Sequence, residues 1–276
     1  MFKRKHINQS GQAVLIVLLS LSVVLIIVLF IMSRSITDIS LSTKEEDSSR
    51  AFSAAEAGIE RALIIGSSIG TTDLGGGTFN ANVSSFGSGE SQVVYPLSLK
   101  SGESAVFWYS RNGDPLSYSG SSVEFCWGDK NTSSNDTQTP ALEVLTYYID
   151  SGVYKVSRST FDPYSNRTIT SNNFSSATSG TCTLQSEEFQ FYSTANVPNG
   201  SGIQLLYSVA KLLYNTSNSH KVGIDVGVPT LPSQGNQIEA DGSYGDANRS
   251  IQVFQLHPVA PPVFDNVLFS TSGIIK

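Results

Sequence analysis

Three sets of residues have types and spacings that could carry chemistry. Gly66-Ser67-Ser68-Ile69-Gly70 reads G-x-S-x-G, the pattern of a serine nucleophile on a strand-to-helix turn. Acyl transfer from Ser68 needs a base and an acid, and His220 with Asp225, or His257, are the candidates. Here a helical pattern precedes the serine and a loop-like segment follows, so the context is inverted and chance in a Gly- and Ser-rich chain explains the match. Oxygen ligands for calcium stand at Asp241, Asp246 and the Asp129-Lys130-Asn131 turn, without EF-hand spacing, and Asx side chains in turns bond their own backbone. Three His and two Cys are too few for a convincing zinc site. The third set is Cys126 and Cys182, which read either as a disulfide or as two buried thiols. No cofactor or metal is expected, and the chain does not read as an enzyme.

Composition narrows the remaining choices. Only 14% of the 276 residues are charged, well under the usual quarter, and Ser, Thr, Asn and Gly fill the gap. That argues against a basic nucleic-acid binder and against an acidic disordered tail. Eleven Tyr and 14 Phe supply core material.

The element that must organise the chain is apolar. Residues 13–32 form a run in which only Ser20 and Ser22 are polar. As a helix this run rises about 30 Å, the thickness of a bilayer's hydrocarbon core. Lys3, Arg4 and Lys5 precede it, and residues 1–11 contain no acid; the remainder carries 14 basic and 23 acidic residues. The positive-inside rule then keeps the N-terminus cytoplasmic and exports the rest. A secretory signal peptide has a shorter apolar region and an A-x-A cleavage site. No Pro occurs before Pro96 and no Gly between Gly11 and Gly58, so the helix is expected to run from Gln12 to about Ile65 and stop at Gly66. Residues 12–32 are apolar all round and 33–65 amphipathic. Ile36, Ile39, Phe52, Ala55, Ile59, Ala62 and Leu63 recur at helical spacing, and the steps after Phe52 predict one buried stripe.

Residues 66–92 are rich in Gly, Ser and Thr and read as a loop, with 78–83 a candidate short strand. From 93 to 276 strand-like runs alternate with turns: 93–99, 105–110, 123–127, 188–192, 204–213, 221–226, 237–240 and 250–256. The run 204–213 also fits a short helix, and 264–269 fits a last strand. Residues 142–149 and 153–159 flank Asp150-Ser151-Gly152, which predicts a hairpin with a three-residue loop. No strand–helix alternation suggests a parallel sheet, so an antiparallel β head on a long helix is expected, an α+β protein. An exported head favours the disulfide reading of Cys126 and Cys182, and closing that loop would stabilise by about 4 kcal/mol in the chain-entropy model.

A basic leader ends in Gly11, the apolar segment starts directly after it, and the amphipathic continuation carries Ala51-Phe52-Ser53-Ala54-Ala55-Glu56-Ala57-Gly58-Ile59-Glu60. Residues 1–65 thereby resemble type IV pilin-like proteins. The similarity is greatest to PilX-type minor pilins and to the K-type minor pseudopilins of type II secretion, in which A-F-x-A-A-E-A-G-I/L recurs. The Gly-rich turn at 242–247 leading into a strand with Arg249 is similar to the hairpin that ends many PilX-like ectodomains. The resemblance implies a pilin-like fold in which the helix packs on the head, with Phe52, Ala55, Glu56 and Gly58 as its helix motif. It also implies cleavage after Gly11 by a prepilin peptidase and methylation of Gln12. Transfer from membrane to filament by an assembly platform would follow, with other pilin subunits as partners along the helix. Major pilins begin with Phe or Met and carry Glu at the fifth mature position, whereas here those positions hold Gln12 and Ile16. A carboxylate in hydrocarbon is costly unless paired, so its absence points to a minor, tip or priming subunit. The alternative expectation is a single-pass surface adhesin that never polymerises.

Overall fold

A computed structural model describes residues 10–170 and 172–259. With no helix breaker in its path, α1 spans Ser10–Ile65, 56 residues and about 84 Å long. It ends as expected, since Gly66 adopts φ 73° and its N–H donates to the Ala62 carbonyl at 2.8 Å.

The loop expected over 66–92 is a correction, apart from the candidate strand at 78–83, which lies inside β2. β1 (Ile69–Leu74) and β2 (Gly77–Phe86) form an antiparallel hairpin, and Leu74 pairs with Gly77 across Gly75 (φ 58°) and Gly76 (φ 94°). Glycines that looked like linker are turn residues. Further along the chain lie β3 (Gln92–Val94), β4 (Ser104–Trp108), β5 (Ser122–Asp129), β6 (Ala141–Asp150) and β7 (Val153–Asp162). A short helix α2 (Ser165–Thr170) precedes β8 (Ser175–Ser176), β9 (Thr178–Leu184), β10 (Glu187–Asn196), β11 (Ile203–Leu213) and β12 (Val222–Asp225). The last described strands are β13 (Gly235–Tyr244) and β14 (Ala247–Leu256). The run 204–213 is strand rather than helix, paired with both β4 and β6. The strand expected at 264–269 lies outside the described residues.

The chain divides into two units. The first comprises the described residues up to Asn82 together with Glu239–Gln252. It holds α1, β1 and the adjoining parts of β2, β13 and β14, in the sheet order β1-β2-β13-β14. Ala51, Ala54, Ala55, Gly58, Ile59 and Ala62 of α1 are buried at steps of three and four, and the sheet buries Phe79, Ala81, Ala240 and Gly242. Of the predicted stripe Ala55, Ile59 and Ala62 are buried as expected, whereas its ends are not: Phe52 is 46% exposed and Leu63 38% exposed.

The second unit, residues 83–238 and 253–259, contains two five-stranded sheets in the orders β3-β12-β5-β10-β9 and β4-β11-β6-β7-β8. Among the described residues of these two sheets, only the two-residue β7–β8 pairing is parallel. Val123, Phe125 and Trp127 from one sheet meet Phe107, Leu142, Val144 and Leu212 from the other in a shared core. The Phe107 and Phe125 rings pack edge to face at 6.3 Å. This is sheet-on-sheet packing with alternating inward residues. The β6–β7 connection is tighter than the three-residue loop expected: Asp150 pairs with Val153, leaving Ser151 (φ 51°) and Gly152 (φ 84°) as a two-residue turn. β9 and α2 are not among the expected elements. Asp162 at the end of β7 is fully buried and accepts from Arg167 of α2 twice, Nε to Oδ2 at 2.9 Å and Nη2 to Oδ1 at 3.0 Å. The same guanidinium donates to the Thr137 and Thr139 carbonyls and lies 4.1 Å from the Tyr214 ring centroid, so it ties the polar 130s segment to the sheet. The protein is α+β: one long apolar N-terminal helix and antiparallel β-sheets.

Candidate functional site on the long helix

Every side chain of α1 from residue 13 to 32 is exposed. Ser20 and Ser22 donate to the Val17 and Leu19 carbonyls at 2.9 and 2.8 Å, so neither hydroxyl demands water. The helix is long and apolar enough to cross a membrane near its N-terminus. Gly11 and Gln12 lie at its N-terminal end. Ile16, where a carboxylate would alter that chemistry, is 65% exposed and apolar.

The motif residues 52–58 divide by face. Ala55 is fully buried, and Gly58 is where helix and sheet approach most closely from the helix side. A Cβ on Gly58 would stand 3.1 Å from both Ala240 Cβ and Phe79 Cδ2. From the sheet side, a Cβ on Gly242 would stand 2.1 Å from the Ala51 carbonyl oxygen and 2.4 Å from the Ala55 nitrogen. Small residues at 51, 54, 55 and 58 therefore let backbone lie on backbone. Phe52 and Glu56, one turn apart, are both exposed, on the open side of the helix. Gly242, expected in the Gly-rich turn at 242–247, lies instead within β13, and its place two residues after Ala240 in an alternating strand carries the signal.

The same helix is pinned to the β13–β14 turn. Arg50 pairs with Glu46 at 2.6 Å and donates to the Tyr244 hydroxyl at 2.5 Å, its guanidinium 4.8 Å from the tyrosine ring centroid. Arg249 donates twice to Ser48 Oγ, at 2.9 and 2.6 Å. Glu46, Arg50 and Arg249 are exposed and Ser48 and Tyr244 half-buried, so solvent screens these contacts and their role is to fix the position of the turn.

The other candidate chemistry does not assemble among the described residues. Ser68 Oγ donates to Asn82 Oδ1 at 3.2 Å, and a strand, not a helix, follows it. His220 Nδ1 lies 3.3 Å from Asp129 Oδ2, His257 Nε2 accepts from Arg111 at 2.7 Å, and Asp225 accepts from Gln92 and Gly227, each at 2.7 Å. Asn131 occupies a left-handed turn position (φ 67°), and Asp241 and Asp246 are exposed. Cys126 and Cys182 form a disulfide, Cα–Cα 6.2 Å, packed with Leu184 and Phe189. The Glu124 carboxylate is close to both sulfurs, which as a disulfide offer no thiolate to a metal. Burial, and then the neighbouring Asp225, push the Glu124 carboxyl above the usual range. No protein-family model matches the chain, and no curated protein or solved structure matches it either.

Proposed function

We propose that the chain is a minor pilin-like or pseudopilin-like subunit that primes or tips a filament. The observation that carries this reading is the division of labour along one unbroken helix. Residues 13–32 are apolar and wholly exposed, while the small face at 51–62 is buried under the protein's own sheet. No break separates the two, so stem and sheet move as one rigid element when the helix leaves the bilayer. Exchanging lipid for the helices of other pilin subunits keeps residues 13–32 in apolar contact. Ile16 brings no charge needing a partner subunit, which suits a first-placed subunit. In this reading a prepilin peptidase cuts after Gly11, and an assembly platform extracts the helix. The protein begins in the cytoplasmic membrane with its head outside and ends in the filament or on the cell surface.

The test is the mass of the mature N-terminal peptide from cells with an active prepilin peptidase. N-methylated Gln12 is expected, and Gly11→Ala should leave the leader attached. An intact Met1, or a cut near Ser33, overturns the proposal. Recovery only in membranes, with none in sheared filaments, would favour an anchored adhesin.

A further inference from the structure

The second unit carries a groove that the long helix does not explain. It begins as a cavity of about 380 Å³ lined by Ser110, Ser117, Ser119, Asn199 and Gln204. Ser110 and Gln204 also line an adjoining open cleft with Trp108 and Ile149. Residues 111–114 continue it to a third hollow beside Ser88 and Ser233.

Its two charged residues are engaged within the fold. Arg111 donates to His257 Nε2 at 2.7 Å and lies 5.8 Å from the Trp108 ring centroid. Asp114 accepts the Leu116 and Ser233 N–H groups, both at 3.0 Å. What faces a ligand is amide and hydroxyl. Asn112, Ser117, Ser119 and Asn199 are exposed, and among the described residues the Gln204 carboxamide makes one hydrogen bond, to Ser110 Oγ at 3.3 Å. An extended peptide would enter by adding to β4, the edge strand beside the groove. That edge is closed at Trp108, whose N–H donates to Gln234 Oε1 at 2.7 Å and whose carbonyl accepts from Gln234 Nε2 at 3.0 Å. Uncharged hydrogen-bonding groups around a half-buried indole complement a ligand with many hydroxyls and an apolar C–H face.

We propose that this groove binds a neutral oligosaccharide. The proposal does not depend on processing at Gly11. Full-length protein in a detergent without a sugar head group (lauryldimethylamine oxide) is titrated calorimetrically with a panel of probes. These are neutral glucose-, galactose- and N-acetylhexosamine-based oligosaccharides, their sialylated and sulfated counterparts, and an uncharged Gly/Ser/Asn peptide. At least one neutral oligosaccharide is expected to bind with Kd below about 1 mM, and Gln204→Ala and Asn112→Ala to weaken it roughly tenfold each with unchanged thermal unfolding. The proposal is overturned if no neutral oligosaccharide binds up to about 10 mM. Binding indifferent to both substitutions, or a preference for the charged glycans or the peptide, overturns it equally.

Discussion

Replacing Gly242 by alanine tests whether the seam between α1 and its sheet is set by backbone approach. Gly242 is not among the residues with positive φ, so alanine meets no conformational strain there. Restricting the unfolded chain favours the variant by about 0.4–1 kcal/mol. Against that, the new Cβ would stand 2.1 Å from the Ala51 oxygen, 2.4 Å from the Ala55 nitrogen and 3.1 Å from the Ala54 carbonyl carbon. All three are main-chain atoms of a helix and have no rotamer to swing away. Carbon contacts are comfortable only beyond about 3.5 Å, so strand and helix must part by roughly 1 Å or more. The gap loosens Ala51, Ala54 and Ala55, each at most 3% exposed. Overpacking costs about 1–3 kcal/mol and sometimes more, and backbone-on-backbone contact belongs at the top of that range, leaving a net loss of about 2–3 kcal/mol. Hydrogen exchange of β13 amides in the full-length protein reads this as roughly thirty- to hundredfold faster exchange. Gly70→Ala is the control, since nothing lies within 4 Å of its added Cβ, and exchange there should be unchanged or slightly slower. Exchange in Gly242→Ala within about threefold of wild type, a difference under 1 kcal/mol, would refute the reasoning.

Three further outcomes follow from the second unit. Arg167→Met takes the guanidinium from the Asp162 carboxylate, which has no exposed surface and keeps the Tyr164 N–H and Asn172 Nδ2 as donors, and should lower stability to urea by about 3 kcal/mol, read from tryptophan fluorescence; a shift under 1 kcal/mol would show that the pair is dispensable. Cys126→Ser with Cys182→Ser opens a loop of sequence separation 56 and should cost about 4 kcal/mol in the chain-entropy model, so an unchanged unfolding midpoint would reject that account. Burial, and then Arg111, hold the His257 imidazole below its ordinary range, so its NMR titration midpoint should fall below about 6.5 and rise in Arg111→Ala. Because the folded value is depressed, this group's contribution to stability is fully present above the unfolded value and lost as pH falls through the folded one, and a midpoint at or above the unfolded value would contradict the geometry.

The end of α1 was legible in the sequence because it depends on local terms alone. Unbroken N–H donors, the absence of Pro and the left-handed stop at Gly66 act within one turn of the chain, and the exposed apolar half follows from side-chain type. Antiparallel strands announced themselves wherever apolar residues alternated, as in 142–149 and 204–213. The hairpin at 69–86 showed only as the candidate strand 78–83, because Ser, Thr and Gly give similar local signals in a loop and in a half-exposed strand; the turn geometry at Gly75 and Gly76 and the inward Phe79 and Ala81 decide the rest. β9 was silent for the same reason, carrying only Cys182 and Leu184 into a buried cluster.

By itself the sequence determined that one helix has a greasy half and an amphipathic half, that a polar β-rich body follows, and that only one cysteine pairing exists. It placed Ala55, Ile59 and Ala62 on the buried face of the amphipathic half but not the residues at that face's edge. Phe52 is the more hydrophobic residue, yet Ala51, Ala54 and Gly58 are the ones covered, because the sheet's backbone at Gly242 comes too close for anything larger. The groove likewise joins Trp108 and residues 110–119 to Asn199 and Gln204 across some ninety positions of sequence, and only strand pairing between β4 and β11 brings them together. Local propensity writes elements into a sequence; which atoms meet across them is a property of packing, which no window of the chain contains.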